Sequence, residues 1–240
     1  MNYIPFAFPG LPKVGCAFGT GPDTMVMTGA SDPAAVAETR CKLQAHLGFT
    51  AWQSLKQVHG TDMIFEPQFD TLDKPSIETG DGMAETRPGR ALAIKTADCQ
   101  PVLLAHASGK YIAALHVGWR GNVADFCGRG VRSFCVRYGL DPHELFAVRG
   151  PSLGPGESEF TAFEREFGER YRPWFDHRTS RVDLWRLTRD QLVAAGLDQD
   201  RIFSLDLCTK SLPLFFSYRR DRTTGRQASL IWIKKEGTGI

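Results

Sequence analysis

The chain has 240 residues, 29 Lys and Arg against 27 Asp and Glu, and a formal net charge of +2. That near balance argues against a polyanion binder, which carries a basic stripe or tail, so no nucleic-acid partner is expected. A hydrophobic fraction of 42%, with no apolar run near the roughly 18 residues of a membrane helix and no leader-like start in MNYIPFAFPG, points to a globular cytoplasmic protein without membrane attachment.

Helix signals come first in chain order. Asp32 and Pro33 supply an N-cap and a first-turn proline, and Gly48 supplies the stop. Lys56 to Gly60 is a strand-like run ending in histidine and glycine. Ala91 to Thr96, Pro101 to Ala105 and Tyr111 to Val117 are short apolar runs bounded by turn residues, hence strands. A helix should follow Gly121, with Val123, Cys127, Val131, Phe134 and Tyr138 at helical spacing and Gly139 as its stop. Leu145 to Arg149 reads as a strand, and Gly150 to Gly156 as a loop within one domain. Helices are predicted over Ala162 to Tyr171 and Trp185 to Ala195, and strands over Ile202 to Leu205 and Ala228 to Ile233. Strands come in runs with helices interspersed. That pattern predicts an α+β fold with mixed sheets in a single domain over residues 1–240, not a doubly wound parallel sheet.

The six cysteines form no CxxC pair, so local zinc motifs and a thioredoxin-type site are excluded. Cys127 and Cys135 lie on the apolar face of a predicted helix and read as core. Cys16 and Cys41 have no chemical neighbour in sequence, and Cys208, at the end of a strand in Leu207-Cys208-Thr209, is left unassigned. Cys99 differs, because Thr96-Ala97-Asp98-Cys99-Gln100-Pro101 is a polar break between two apolar strands, where scaffolds present functional side chains. His116 ends another apolar run, just before Gly118-Trp119-Arg120-Gly121. It suits a metal ligand or general base, or a hydrogen-bonded core histidine. Arg120 precedes an expected helix start, where an anion is favoured, though a salt bridge inside the fold serves equally. His59 also ends a strand-like run, and His106 is its one rival. Asp81 stands between Gly80 and Gly82, a setting typical of turn formers.

Catalytic zinc needs three protein ligands that converge in space, with the fourth position open, and two histidines with one cysteine form such a set. The same residues suit a Cys99 thiolate nucleophile with His116 or His59 as its base. Spacing alone does not choose between them.

As a set, these motifs resemble a known family. Gln57-Val58-His59-Gly60, Gly80-Asp81-Gly82, Thr96 to Leu104 and His116-Val117-Gly118-Trp119-Arg120-Gly121 appear in order. Gly150-Pro151, Val182-Asp183-Leu184-Trp185, Cys208-Thr209 and Leu214 to Asp221 follow. The series is similar to the YfiH-like family, also called the laccase-domain or polyphenol oxidase family. The resemblance implies one domain of mixed β-sheets flanked by helices, related to the catalytic domain of cytotoxic necrotizing factor. It implies a zinc site at His59, Cys99 and His116, with copper the metal of the older laccase label. It implies purine nucleoside phosphorylase activity on adenosine, inosine and methylthioadenosine, with adenosine deaminase activity, so the expected partners are a small nucleoside and phosphate. Cys99, His116, Asp81 and Arg120 are the residues expected to carry catalysis, Arg120 on phosphate and Asp81 on the substrate. Two other family labels imply a Cys-His hydrolase or amidase acting on a cell-wall precursor, and a copper-dependent polyphenol oxidase. Six histidines are few for a laccase, which needs several copper ions. Two segments depart from the family pattern. Phe18 to Pro22 lacks an arginine and paired glycines, and Ser152 and Gly156 stand where cysteines are common.

Overall fold

The computed structural model describes residues 3–21, 32–68 and 77–235, so Pro22 of the divergent N-terminal segment lies outside the described residues. The chain opens with strands β1 (Tyr3–Phe6) and β2 (Val14–Gly19) and helix α1 (Pro33–Leu47). Strands β3 (Ala51–Gln53), β4 (Met63–Phe65), β5 (Gly82–Glu85), β6 (Arg90–Thr96), β7 (Gln100–His106) and β8 (Ile112–Val117) follow. Helices α2 (Trp119–Val123) and α3 (Phe126–Tyr138) lead to strand β9 (Leu145–Arg149) and helix α4 (Phe163–Glu166). Strands β10 (Phe175–Asp176) and β11 (Arg181–Val182), helix α5 (Leu184–Ala194), and strands β12 (Ile202–Ser204) and β13 (Gln227–Ile233) complete it.

The longer strands form two sheets of mixed direction, in the orders β1-β2-β13-β6-β3 and β12-β9-β7-β8-β5-β4. The expected α+β class with mixed sheets is what forms. Period-2 alternation explains the layering. Leu92 and Ile94 of β6 face Leu103, Ile112 and Val148 of the other sheet across a shared core. Their neighbours Ala91 and Ala93 face outward, where Leu43 of α1 and Phe49 cover them. On the far side, Val102, Leu104 and Leu115 pack against Phe126 and Phe134 of α3 and Leu192 of α5. Each such side chain contributes roughly 1.5–3 kcal/mol by leaving water. A separate aromatic cluster, with Phe160, Phe163 and Phe167 at its centre, lies under Trp119.

Most predicted elements appear near their expected bounds. α1 is capped by Asp32, which accepts from Ala34 N, and ends at Gly48 with φ 75°. The helix expected after Gly121 is two helices instead. α2 begins at Trp119, and the chain turns at Asp125, whose φ is 53° and whose carboxylate accepts from Gly128 N. The apolar spacing runs across that turn because Val123 and Cys127 both stay buried or half-buried. The helix expected over Ala162 to Tyr171 is only α4 plus a 3-10 turn, interrupted by Gly168 at φ 85°. The Lys56 to Gly60 run is not a strand; Lys56 makes one bridge, to Thr79, and His59 turns the chain at φ 60°.

The register fixes what shares an edge of the six-stranded sheet. Gln100 pairs with Val117, Val102 with Arg149, Gly82 with Leu115, and Ser204 with Arg149. Cys99, at the start of β7, and His116, near the end of β8, therefore lie at one end of the sheet, with Asp81 beside them. His106 closes β7 at the other end.

Candidate metal centre

Three segments deliver the site. Ala97-Asp98-Cys99 is the link by which the chain leaves β6 of one sheet and enters β7 of the other. Asp98 holds an unusual φ of 94° there. Its carboxylate accepts from Thr209 Oγ1 and from Arg219 N, each at 2.7 Å, and its carbonyl accepts from Leu153 N at 2.9 Å. The corner that presents Cys99 is thus clamped from two remote loops. His116 arrives on β8 and is 3% exposed, whereas His59 is on an exposed turn.

The ligand-capable atoms of His59, Cys99 and His116 all lie within 4.8 Å of one another. Cys99 Sγ is 3.8 Å from His59 Nε2, and the two imidazole rings stand 4.8 Å apart, edge to face. Asp81, fully buried, organises both histidines. One oxygen meets His116 Nδ1 at 2.8 Å and accepts from His59 N at 2.9 Å, while the other accepts from Gly60 N at 2.7 Å and Val58 N at 3.2 Å. With Nδ1 bonded to a carboxylate, His116 turns Nε2 toward the cluster, the usual arrangement of an imidazole that binds a metal. Gly118 completes the site. A Cβ there would stand 3.0 Å from Cys99 Sγ and 3.2 Å from His59 Cδ2, so only glycine leaves the space free.

The electrostatics follow from this packing. Burial pushes the Cys99 thiol up, but His116 and His59 outweigh it and bring it down to about 6. Burial likewise opposes a charge on His116, and Cys99 with Asp81 overcomes it, raising the imidazole to about 9. Burial works against the Asp81 carboxylate too, yet the bonds from His116, Gly60 and Val58 hold it below the usual range. A thiolate beside two imidazoles is a soft N/S donor set that fits a borderline-soft divalent ion, with the exposed His59 side open to a further ligand.

Arg120 is the second residue of α2 rather than a residue ahead of it, and its exposed guanidinium lies 4.3 Å from the Trp119 ring centre. His106 bonds Ser108 and Glu144 and belongs to the far end of the sheet. Cys127 and Cys135 are buried, as expected. Burial raises both thiols, to about 12 and about 11. A cavity of about 250 Å³ opens at the same end as the cluster but is lined by other residues, including Arg149, Trp185, Arg186 and Asp206. Sequence reading missed Gly118 and the clamp on Asp98. Neither has a local signature, since each acts through residues distant in the chain.

Residues 25–234 match the family model described as multi-copper polyphenol oxidoreductase laccase. The chain belongs to this family. It is 37% identical over 219 residues to a protein of Xylella fastidiosa named purine nucleoside phosphorylase, covering 84% of this chain and 80% of that one. It is 35% identical over 186 residues to the purine nucleoside phosphorylase YfiH of Escherichia coli, covering 75% and 72%. Among solved structures, YlmD of Geobacillus stearothermophilus superposes with a TM-score of 0.84 at 26% identity, over 98% of this chain and 97% of that one. The YfiH protein of Bacillus licheniformis, at a TM-score of 0.80 and 24% identity over 92% and 93%, shares the fold. No helix among the described residues is long and apolar enough to cross a membrane.

Proposed function

We propose that this chain is a zinc-dependent purine nucleoside phosphorylase acting on adenosine, inosine and methylthioadenosine, with adenosine deaminase activity. The observation that carries the reading is the convergence of His59, Cys99 and His116 in a chain so similar to proteins of that name. When bound, the ion supplies Lewis-acid chemistry at its open coordination position. Cys99, as thiolate, and the two imidazoles hold it. Asp81 is a positioning residue in this scheme, because its oxygens are spent on His116 and the His59 turn and none is left for a substrate. Arg120 supplies positive charge for phosphate. In phosphorolysis a phosphate oxygen bonds to C1′, the C1′–N9 bond breaks, and its electron pair leaves with the purine, which takes a proton.

A multi-copper oxidase is disfavoured by the remaining histidines. His46 bonds Tyr3, His143 bonds Asp198 and His177 meets Arg172. Among the described residues only one three-ligand cluster remains. A second reading, a Cys99 hydrolase or amidase, is favoured by the thiol's fall to about 6 beside His116. One experiment separates the two. Purified protein is assayed for phosphate-dependent release of hypoxanthine from inosine, with and without chelator. The phosphorylase reading expects release that needs both phosphate and metal, and Cys99 shielded from alkylation until the metal is stripped. No phosphate-dependent release from zinc-supplied protein, with Cys99 alkylated readily in the presence of metal, supports the hydrolase instead.

A further inference from the structure

We propose that Arg219 and Arg120 together form the binding site for the inorganic phosphate, an inference that rests on the phosphorylase reading. The backbone brings both residues close to the His59, Cys99 and His116 cluster. Arg120 lies two residues after Gly118, which packs on Cys99 and His59. Arg219 donates its backbone N–H to Asp98, the neighbour of Cys99, at 2.7 Å. The loop that carries Arg219 is held firmly. The adjacent Arg220 spends its guanidinium on the carbonyls of Thr209, Lys210, Leu212 and Phe215.

The two guanidiniums rest on neighbouring rings. Arg120 lies 4.3 Å from the ring centre of Trp119, and Arg219 lies 5.2 Å from that of Phe160. The rings are themselves 6.0 Å apart. Stacking on a ring holds a guanidinium by its face and leaves its N–H edge free to bond. Both arginines are exposed, and neither side chain meets a carboxylate among the described residues. Arg149 shows the contrast: it is buried, paired with Asp206, and stacked on Trp185. Two unspent forks on one aromatic ledge, carried by backbone that touches Asp98 and adjoins Gly118, suit a small oxyanion, because arginine binds phosphate through paired N–H donors. Phosphate is the oxyanion that the proposed reaction consumes.

The test is steady-state kinetics with inosine and inorganic phosphate on Arg219→Ala, Arg219→Lys and Arg120→Ala, alongside 31P line-broadening titration of phosphate alone. Equal thermal midpoints confirm folding. Either alanine variant is expected to raise the phosphate KM by about tenfold or more, the size of losing one charge-assisted bond. The inosine KM should stay within about threefold, and Arg219→Lys should recover part of the loss. A phosphate KM unchanged in Arg219→Ala, or an equal rise in both KM values, overturns the proposal and leaves the phosphorylase reading intact. If the unmodified protein releases no purine, that reading has failed, and the titration decides alone. Phosphate binding weakened by both alanine variants supports the site, and binding identical in all proteins refutes it.

Discussion

Asp81 shows how much one buried carboxylate can arrange. Four donors converge on it, from the turn at His59 and from His116. Read from sequence, Gly80-Asp81-Gly82 looked like a turn, because every one of those partners is remote in the chain. Asp81→Asn keeps the shape but presents an amide N–H to groups that are themselves donors. Metal affinity is expected to fall about 10–100-fold, the usual cost of losing such a partner, as read by competition with a chelating dye. An unchanged affinity would show that Asp81 does not position the ligands. Gly118→Ala makes a different prediction. Its φ of −79° and ψ of 175° suit any residue, so the fold should survive. The new methyl would meet Cys99 Sγ at 3.0 Å, and metal affinity should fall while the thermal midpoint hardly moves.

Among the elements, the short helix α2 depends on polar contacts rather than propensity. Asn122 is fully buried and accepts from Gln100 Nε2, donates to Thr188 and Gln191, and its carbonyl takes the Gln191 amide. This network ties α2 to β7 beside Cys99 and to α5. Asn122→Ala strands several buried groups at once, and urea denaturation should show a loss of about 2–3 kcal/mol. At the far end of β5, buried Glu85 bonds Arg87 at 2.7 and 2.8 Å. Burial works to raise its carboxyl, yet the Arg87 side chain and the Thr86 and Arg87 backbone hold it below the ordinary 4.5. A lowered carboxylate stabilises the fold above its unfolded value and stops doing so as pH falls through its folded one. Glu85→Gln should therefore cost about 1–3 kcal/mol at pH 7, with Arg87 half in water, and the gap to the unmodified protein should close below about pH 4.5. A gap that stays constant down to acid pH would contradict this.

At the scale of the whole molecule, the strands with plain apolar runs were legible, and so were the ends of α1 and α5. What stayed hidden has physical causes. β2 contains Gly15, placed where a Cβ would enter the Trp232 ring, so its pattern reflects a partner strand over 200 residues away. β5 was obscured by the glycines around Asp81. The cluster itself was legible only as three polar residues at run ends; register brings Cys99 and His116 together, and Asp81 fixes the turn that adds His59. The same register separates His106, seven residues along β7 and so about 20 Å away. His106→Ala should leave metal content untouched and serves as the control.

The geometry of His59, Cys99 and His116 suits one metal ion. Elemental analysis of purified protein beside His116→Ala tests it most directly. About one zinc per chain is expected in the unmodified protein, from the three-ligand set, and a nearly complete loss in the variant. Protein that binds no metal when zinc is supplied, or a His116→Ala variant that retains its full complement, would contradict it.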